Sequence, residues 1–169
     1  PLSVDMYDDR VYERAHDLLW GMVEDGSFIR DQKSCYYIYE LTMNGRVQTG
    51  ITACASIDDY LNGVITKHEN NRAEKEADRI HHVDACNAQT GPIFLAYRSN
   101  PVINEIVEKV KAGEAEYDFT SEDGIRHRVF EISDDDKIAA ISQAFENMAD
   151  IYIAAGHHRA ASAVKVGLK

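Results

Sequence analysis

The chain has 169 residues, 44% of them apolar and 28% charged, enough for one ordinary hydrophobic core and too few for several. Its formal charge of −11 excludes a general nucleic-acid binder, whose affinity for phosphate backbones comes largely from clustered Lys and Arg. No apolar run approaches the ~20 residues that a membrane span requires, and Cys35, Cys54 and Cys86 lack the CxxC spacing of a zinc knuckle and the even number of a disulfide framework. These features predict a cytoplasmic protein with reduced core thiols. A single domain over residues 1–169 is expected, and the opening Pro in place of Met indicates a chain that has been processed or truncated.

From Asp9 to about Glu24, Val11, Ala15, Leu18, Leu19 and Met22 recur at helical spacing before a glycine stop at Gly26. Asn44-Gly45 then separates two β-rich runs, 34–43 and 46–56, the pattern of a hairpin. "SIDDYLNG" carries a cap and a stop sufficient for one helical turn. A helix follows from Arg72 to about Cys86, and "PIFLAYR", 92–98, reads as a buried strand. Asn100 and Pro101 open a helix that stops before Gly113. A second hairpin turns at Asp123-Gly124; Ile125, His127 and Val129 should share one face and Arg126, Arg128 and Phe130 the other, in a strand read as an edge. "DDDKIAAISQAFENM" gives an acid-capped helix, "DIYIAAG" a strand, and "HHRAASAVKVG" a last helix. Irregular alternation with two hairpins predicts an α+β fold, a mixed sheet flanked by helices.

Four stretches carry candidate chemistry. At Gly156, His157, His158 and Arg159, a glycine after a strand opens a helix made of small residues. Free backbone N–H groups and the helix dipole favour an anion there, and an arginine grips phosphate with two parallel hydrogen bonds. The alternative is a plain tight turn with exposed histidines. In "KHENNR", Lys67 to Arg72, a Glu beside a His can act as a general base, or the segment is a solvated helix start. "RIHHVDACNAQTGP" gathers imidazoles, carboxylates and amides, but adjacent helical residues point about 100° apart, so His81 and His82 do not share a metal. No dedicated metal centre is expected; Asn87, Gln89 and Thr90 lining a polar pocket is the better account. The arginines of "GIRHRVFEI" form a weaker phosphate candidate.

Together "QTGITACASIDDYLNGVITKHENNRAEKEADRIHHVDACNAQTGPIFLAYR" and "IYIAAGHHRAASA" resemble a widespread, functionally uncharacterised family of bacteria and archaea. Its members typically carry KHELTR, HVDxxNANTGP and DGHHRAA motifs and are considerably longer, beginning with a PPYD-like segment absent here, so the resemblance implies that residues 1–169 are an internal part of a longer protein. The last motif and the His-Glu pair are also similar to the ParB/sulfiredoxin-like superfamily and, within it, to free serine kinases. That resemblance implies a nucleotide-binding core that uses ATP or ADP with magnesium on a small-molecule hydroxyl, without nucleic acid or membrane. By motif, His68 and Glu69 become the catalytic pair and Gly156, His157, His158 and Arg159 the phosphate turn. Arg72, His82, Asp84, Asn87 and Thr90 are assigned to the substrate pocket. The family's Asp before the glycine is Ala155 here, which favours the alternative of a nucleotide-responsive regulator that binds without turnover.

Overall fold

A computed structural model describes residues 4–68 and 73–169. In chain order the elements are α1 (Asp9–Glu24), β1 (Tyr36–Met43), β2 (Arg46–Thr52), α2 (Ile57–Leu61), β3 (Ile65–Thr66), α3 (Ala73–Cys86), β4 (Phe94–Tyr97), α4 (Pro101–Lys111), β5 (Tyr117–Thr120), β6 (Arg126–Ile132), α5 (Asp135–Glu146), β7 (Ile151–Ala155) and α6 (His157–Gly167). The fold is α+β, and its strands divide between two sheets, ordered β2-β1-β6-β5 and β3-β7-β4. Packing gathers the elements into two compact units. No helix among the described residues is long and apolar enough to cross a membrane.

The first unit combines the segment ending at Arg30 with Ser56–Tyr97 and Asp150–Lys169. Its three-stranded sheet is mixed: β7 runs parallel to β3 and antiparallel to β4. Ile153 of β7 is fully buried in a cluster with Tyr60, Ile65, Ala160, Ala161 and Val164. The alanines of α6 have no bulk to hold that helix away, so it packs on α3, and α3 in turn on α1. Ser162, also fully buried, donates to the His158 carbonyl at 2.5 Å, which satisfies its hydroxyl inside the helix. The stretch read as a buried strand, β4, is instead an edge, with Phe94 52% exposed and Ala96 open as well. An apolar run alone does not tell a two-sided interior strand from an edge whose outer face is uncovered.

The second unit combines Asp31–Ala55 with Arg98–Ala149. Asn44 and Gly45 both take positive φ, 51° and 78°, as the two-residue turn of the β1-β2 hairpin demands. Ile38, Phe130 and Ile132 lie on one face of the antiparallel sheet, buried with Ile103 and Val107 of α4 and Ile141 and Ala144 of α5. The other face holds His127 stacked between Tyr39 and Phe119, at ring separations of 6.0 and 4.9 Å.

The strand expected at an edge, β6, is interior, paired with β1 on one side and β5 on the other. Its alternation of faces is as read, but its arginines do not serve as an edge device. Arg126 grips Asp118 with two hydrogen bonds of 2.8 and 2.6 Å, and Arg128 reaches Glu40 at 3.2 Å, so neither charge bars a neighbouring strand. Of the three cysteines read as core thiols, only Cys86 is buried; Cys35 is half-buried and Cys54 exposed.

Candidate functional site

Strand β7 delivers its chain end to Gly156, which takes φ 95°, ψ 33° as the N-cap of α6. That left-handed conformation favours glycine because a Cβ would meet the carbonyl. No side chain caps the helix, so its first-turn N–H groups face outward without a side-chain acceptor. His157 is 6% exposed and lies edge-on to His68, ring centroids 4.3 Å apart. His158 is half-buried.

Arg159 is held by the Thr-Gly-Pro turn. Its Nη1 donates to the Pro92 carbonyl, and its side chain crosses Gly91, where an added Cβ would lie 3.3 Å from Cδ. Gln89 Nε2 fixes the same turn by donating to the Gly91 carbonyl at 2.8 Å. A guanidinium carries five N–H donors, so this anchor leaves most of the fork available.

The turn opens on a cavity of about 610 Å³. Ala154 through Arg159 form one wall, Lys75, Asp78 and Arg79 of α3 a second, and Met6 and Tyr7 a third. Three permanent cations therefore meet one carboxylate among the described lining residues, in a chain whose net charge is −11. That carboxylate is itself engaged: Asp78 accepts from the Tyr12 hydroxyl at 2.9 Å and stands 3.8 Å from Arg79 Nε. Burial and the Asp78 carboxylate push the Tyr12 hydroxyl pKa up to about 12. The local field is therefore positive and suited to an anion.

The other expected site residues are placed as follows. Glu69 and Arg72 lie outside the described residues. His68 is exposed and meets the turn at Gly156 through His157. Asn87 takes φ 48° just past α3, a helix-ending role that Asn fills readily. Asp84 pairs with Lys169 at 2.5 Å, His82 is half-buried, and Thr90 is exposed; none of these four lines the cavity. No three His, Cys, Asp or Glu side chains gather into a metal-binding group among the described residues. Lys75, Asp78 and Arg79 escaped the sequence analysis, although their i, i+3, i+4 spacing is the signal that sets them on one helix face.

A family profile described as Protein of unknown function (DUF1015) matches residues 2–169. The chain belongs to that family. No curated protein and no solved structure matches it. The DUF1015 profile extends over both compact units, so the cavity and the Tyr39–His127–Phe119 stack both fall within one family's span.

Proposed function

We propose that this DUF1015 protein binds a nucleotide in the cavity at the start of α6 and passes its terminal phosphoryl group to a small-molecule hydroxyl. The observation that carries the proposal is the convergence of Lys75, Arg79 and Arg159 on an uncapped helix N-terminus in an otherwise acidic chain. Helix dipole, backbone N–H groups and fixed cations act together on phosphate oxygens there. The resemblance of the Gly-His-His-Arg turn to ParB/sulfiredoxin-like nucleotide sites supports the same reading.

Phosphoryl transfer rests on positioning and on neutralising developing charge. His68, the chain neighbour of Glu69, lies against His157 of the turn, which supports Glu69 as the base. In the step, the acceptor oxygen attacks the terminal phosphorus of ATP or ADP, its proton passes to the Glu69 carboxylate, and the bond to the departing nucleotide oxygen breaks. Arg159 and Lys75 neutralise the phosphate oxygens, and the histidines donate to them. Magnesium usually takes one or two carboxylates plus phosphate oxygens and water; Asp78, the carboxylate among the described lining residues, would have to share its oxygens with Tyr12 to hold it, and the ion would neutralise phosphate charge. One observation favours binding without turnover: Ala155 stands where the family carries Asp.

Calorimetric titration with ATP, ADP and pyrophosphate tests the site, and phosphate transfer to serine and related hydroxyls tests the reaction. Arg159→Ala should weaken binding about tenfold or more, the loss of one charge-assisted hydrogen bond or more. Glu69→Gln should abolish transfer and spare binding. Binding that Arg159→Ala leaves unchanged would remove the site, and unchanged transfer by Glu69→Gln would remove the base.

A further inference from the structure

The cavity walls carry two chemistries, and a phosphate explains only one of them. Lys75, Arg79 and the turn at Gly156 suit an anion. The remaining wall is Met6 and Tyr7, a thioether and a phenol, 68% and 52% exposed. Neither packs in the unit's apolar cluster, whose members come from α2, β3, β7 and α6 with partly buried neighbours from α2, β4 and β7. Their backbone is nonetheless pinned: Tyr7 N–H donates to Asp5 Oδ1 at 2.8 Å, and Asp8 N–H to the Asp5 carbonyl at 3.1 Å. Asp8 then caps α1 through the Arg10 N–H. The start of α1 is tied to the anion wall as well, since Tyr12 donates to Asp78 one turn along the helix from Lys75. The backbone that carries an aromatic ring is thus fixed at a cavity wall, outside the unit's apolar cluster.

Resting on the phosphate reading above, we infer that Tyr7, with Met6 beside it, receives the base of the nucleotide, so that the ligand class is a nucleoside di- or triphosphate and not a simple phosphate ester. The cavity volume of about 610 Å³ falls in the middle of the range that small-molecule sites occupy and leaves room for a base and sugar beyond the phosphates. Stacking on an aromatic ring is tolerant of sequence because every base has a π-face, and a flexible thioether adapts to purine and pyrimidine alike. The wall therefore selects for a base without choosing among bases.

Titration of the whole chain and of Tyr7→Ala and Tyr7→Trp with pyrophosphate, ADP and CDP tests this. For the unsubstituted chain, ADP and CDP should each bind about tenfold tighter than pyrophosphate, the increment expected of one base on one ring. Tyr7→Ala should erase that increment and leave pyrophosphate binding unchanged, and Tyr7→Trp should keep it. Equal affinities of ADP and pyrophosphate, or a parallel loss of both in Tyr7→Ala, would overturn the inference while leaving the phosphate site standing. Failure of pyrophosphate and both nucleotides to bind at all would overturn the phosphate reading and this inference with it.

Discussion

Two clusters of cations, one in each compact unit, meet carboxylates to different extents. In the second, Glu40 is only 4% exposed and is met by Lys111 at 2.8 Å, Arg128 at 3.2 Å and the Thr49 hydroxyl at 3.1 Å, while Arg126 is clamped on Asp118. In the first, Lys75, Arg79 and Arg159 face a cavity with Asp78 as the carboxylate among its described lining residues. An arginine followed by its neighbours in sequence looks alike in "GIRHRVFEI" and "GHHRAA"; what separates structure from function is whether the fold brings a carboxylate to it. Among the described residues, the first unit's cavity gathers three cations against one carboxylate, whereas the second unit's buried Glu40 draws two cations of its own.

Substitutions can break or sharpen that contrast. The largest effect is expected from Lys111→Met, which leaves the Glu40 carboxylate buried with one cation fewer; urea unfolding should show a loss of about 2–4 kcal/mol. Next is Gly156→Ala, which forces a Cβ into left-handed backbone and should cost about 1–2 kcal/mol by the same measurement. Arg159→Ala should cost less than about 1 kcal/mol of stability while weakening nucleotide binding as described, a split between fold and site that Lys111→Met should not show. A stability loss from Arg159→Ala as large as that from Lys111→Met would dissolve the contrast.

Two pH effects are smaller. Burial alone would raise the Glu40 pKa, but the Lys111 hydrogen bond and charge, the Thr49 hydroxyl and Arg128 hold it below the usual carboxylate range. Its contribution is present above the ordinary value of about 4.3 and is lost as pH falls through the lower folded value. Glu40→Gln should therefore flatten the acid limb of a stability-versus-pH curve. Tyr12 titrates in the opposite sense: its raised folded pKa makes its contribution complete below about pH 10 and lost as pH climbs toward about 12. Tyr12→Phe should remove that alkaline slope and about 1 kcal/mol.

Much of the architecture was legible because local chemistry dictates it. Asn44-Gly45 turns a hairpin, Asn100 caps α4 through Val102 and Ile103 N–H groups, and Ser56 caps α2, each where residue type predicts. Two-residue β3 was missed, since a strand that short has no period to detect. The exposure of β4 and the interior place of β6 depend on partners from distant segments, which no window of sequence contains. The same limit governs the site. Gly156 to Arg159 stand together in the chain and were read together, whereas Tyr7, Lys75 and Gly91 join them only through folding. Thr90 was read as lining a polar pocket, and its neighbours Gly91 and Pro92 emerge as the seat of the Arg159 side chain.

The discontinuity of the units has a consequence for synthesis. All of the second unit has left the ribosome once Ala149 has, but the first still awaits Asp150–Lys169, which brings both its central strand and the helix that opens at Gly156. Until then Ile65 lacks its partner Ile151, and the walls carrying Tyr7 and Lys75 lack the third one, Ala154 through Arg159. The segment ending at Arg30 must therefore wait for Asp150–Lys169. Such long-range closure is slow, which makes the cavity a late product of folding.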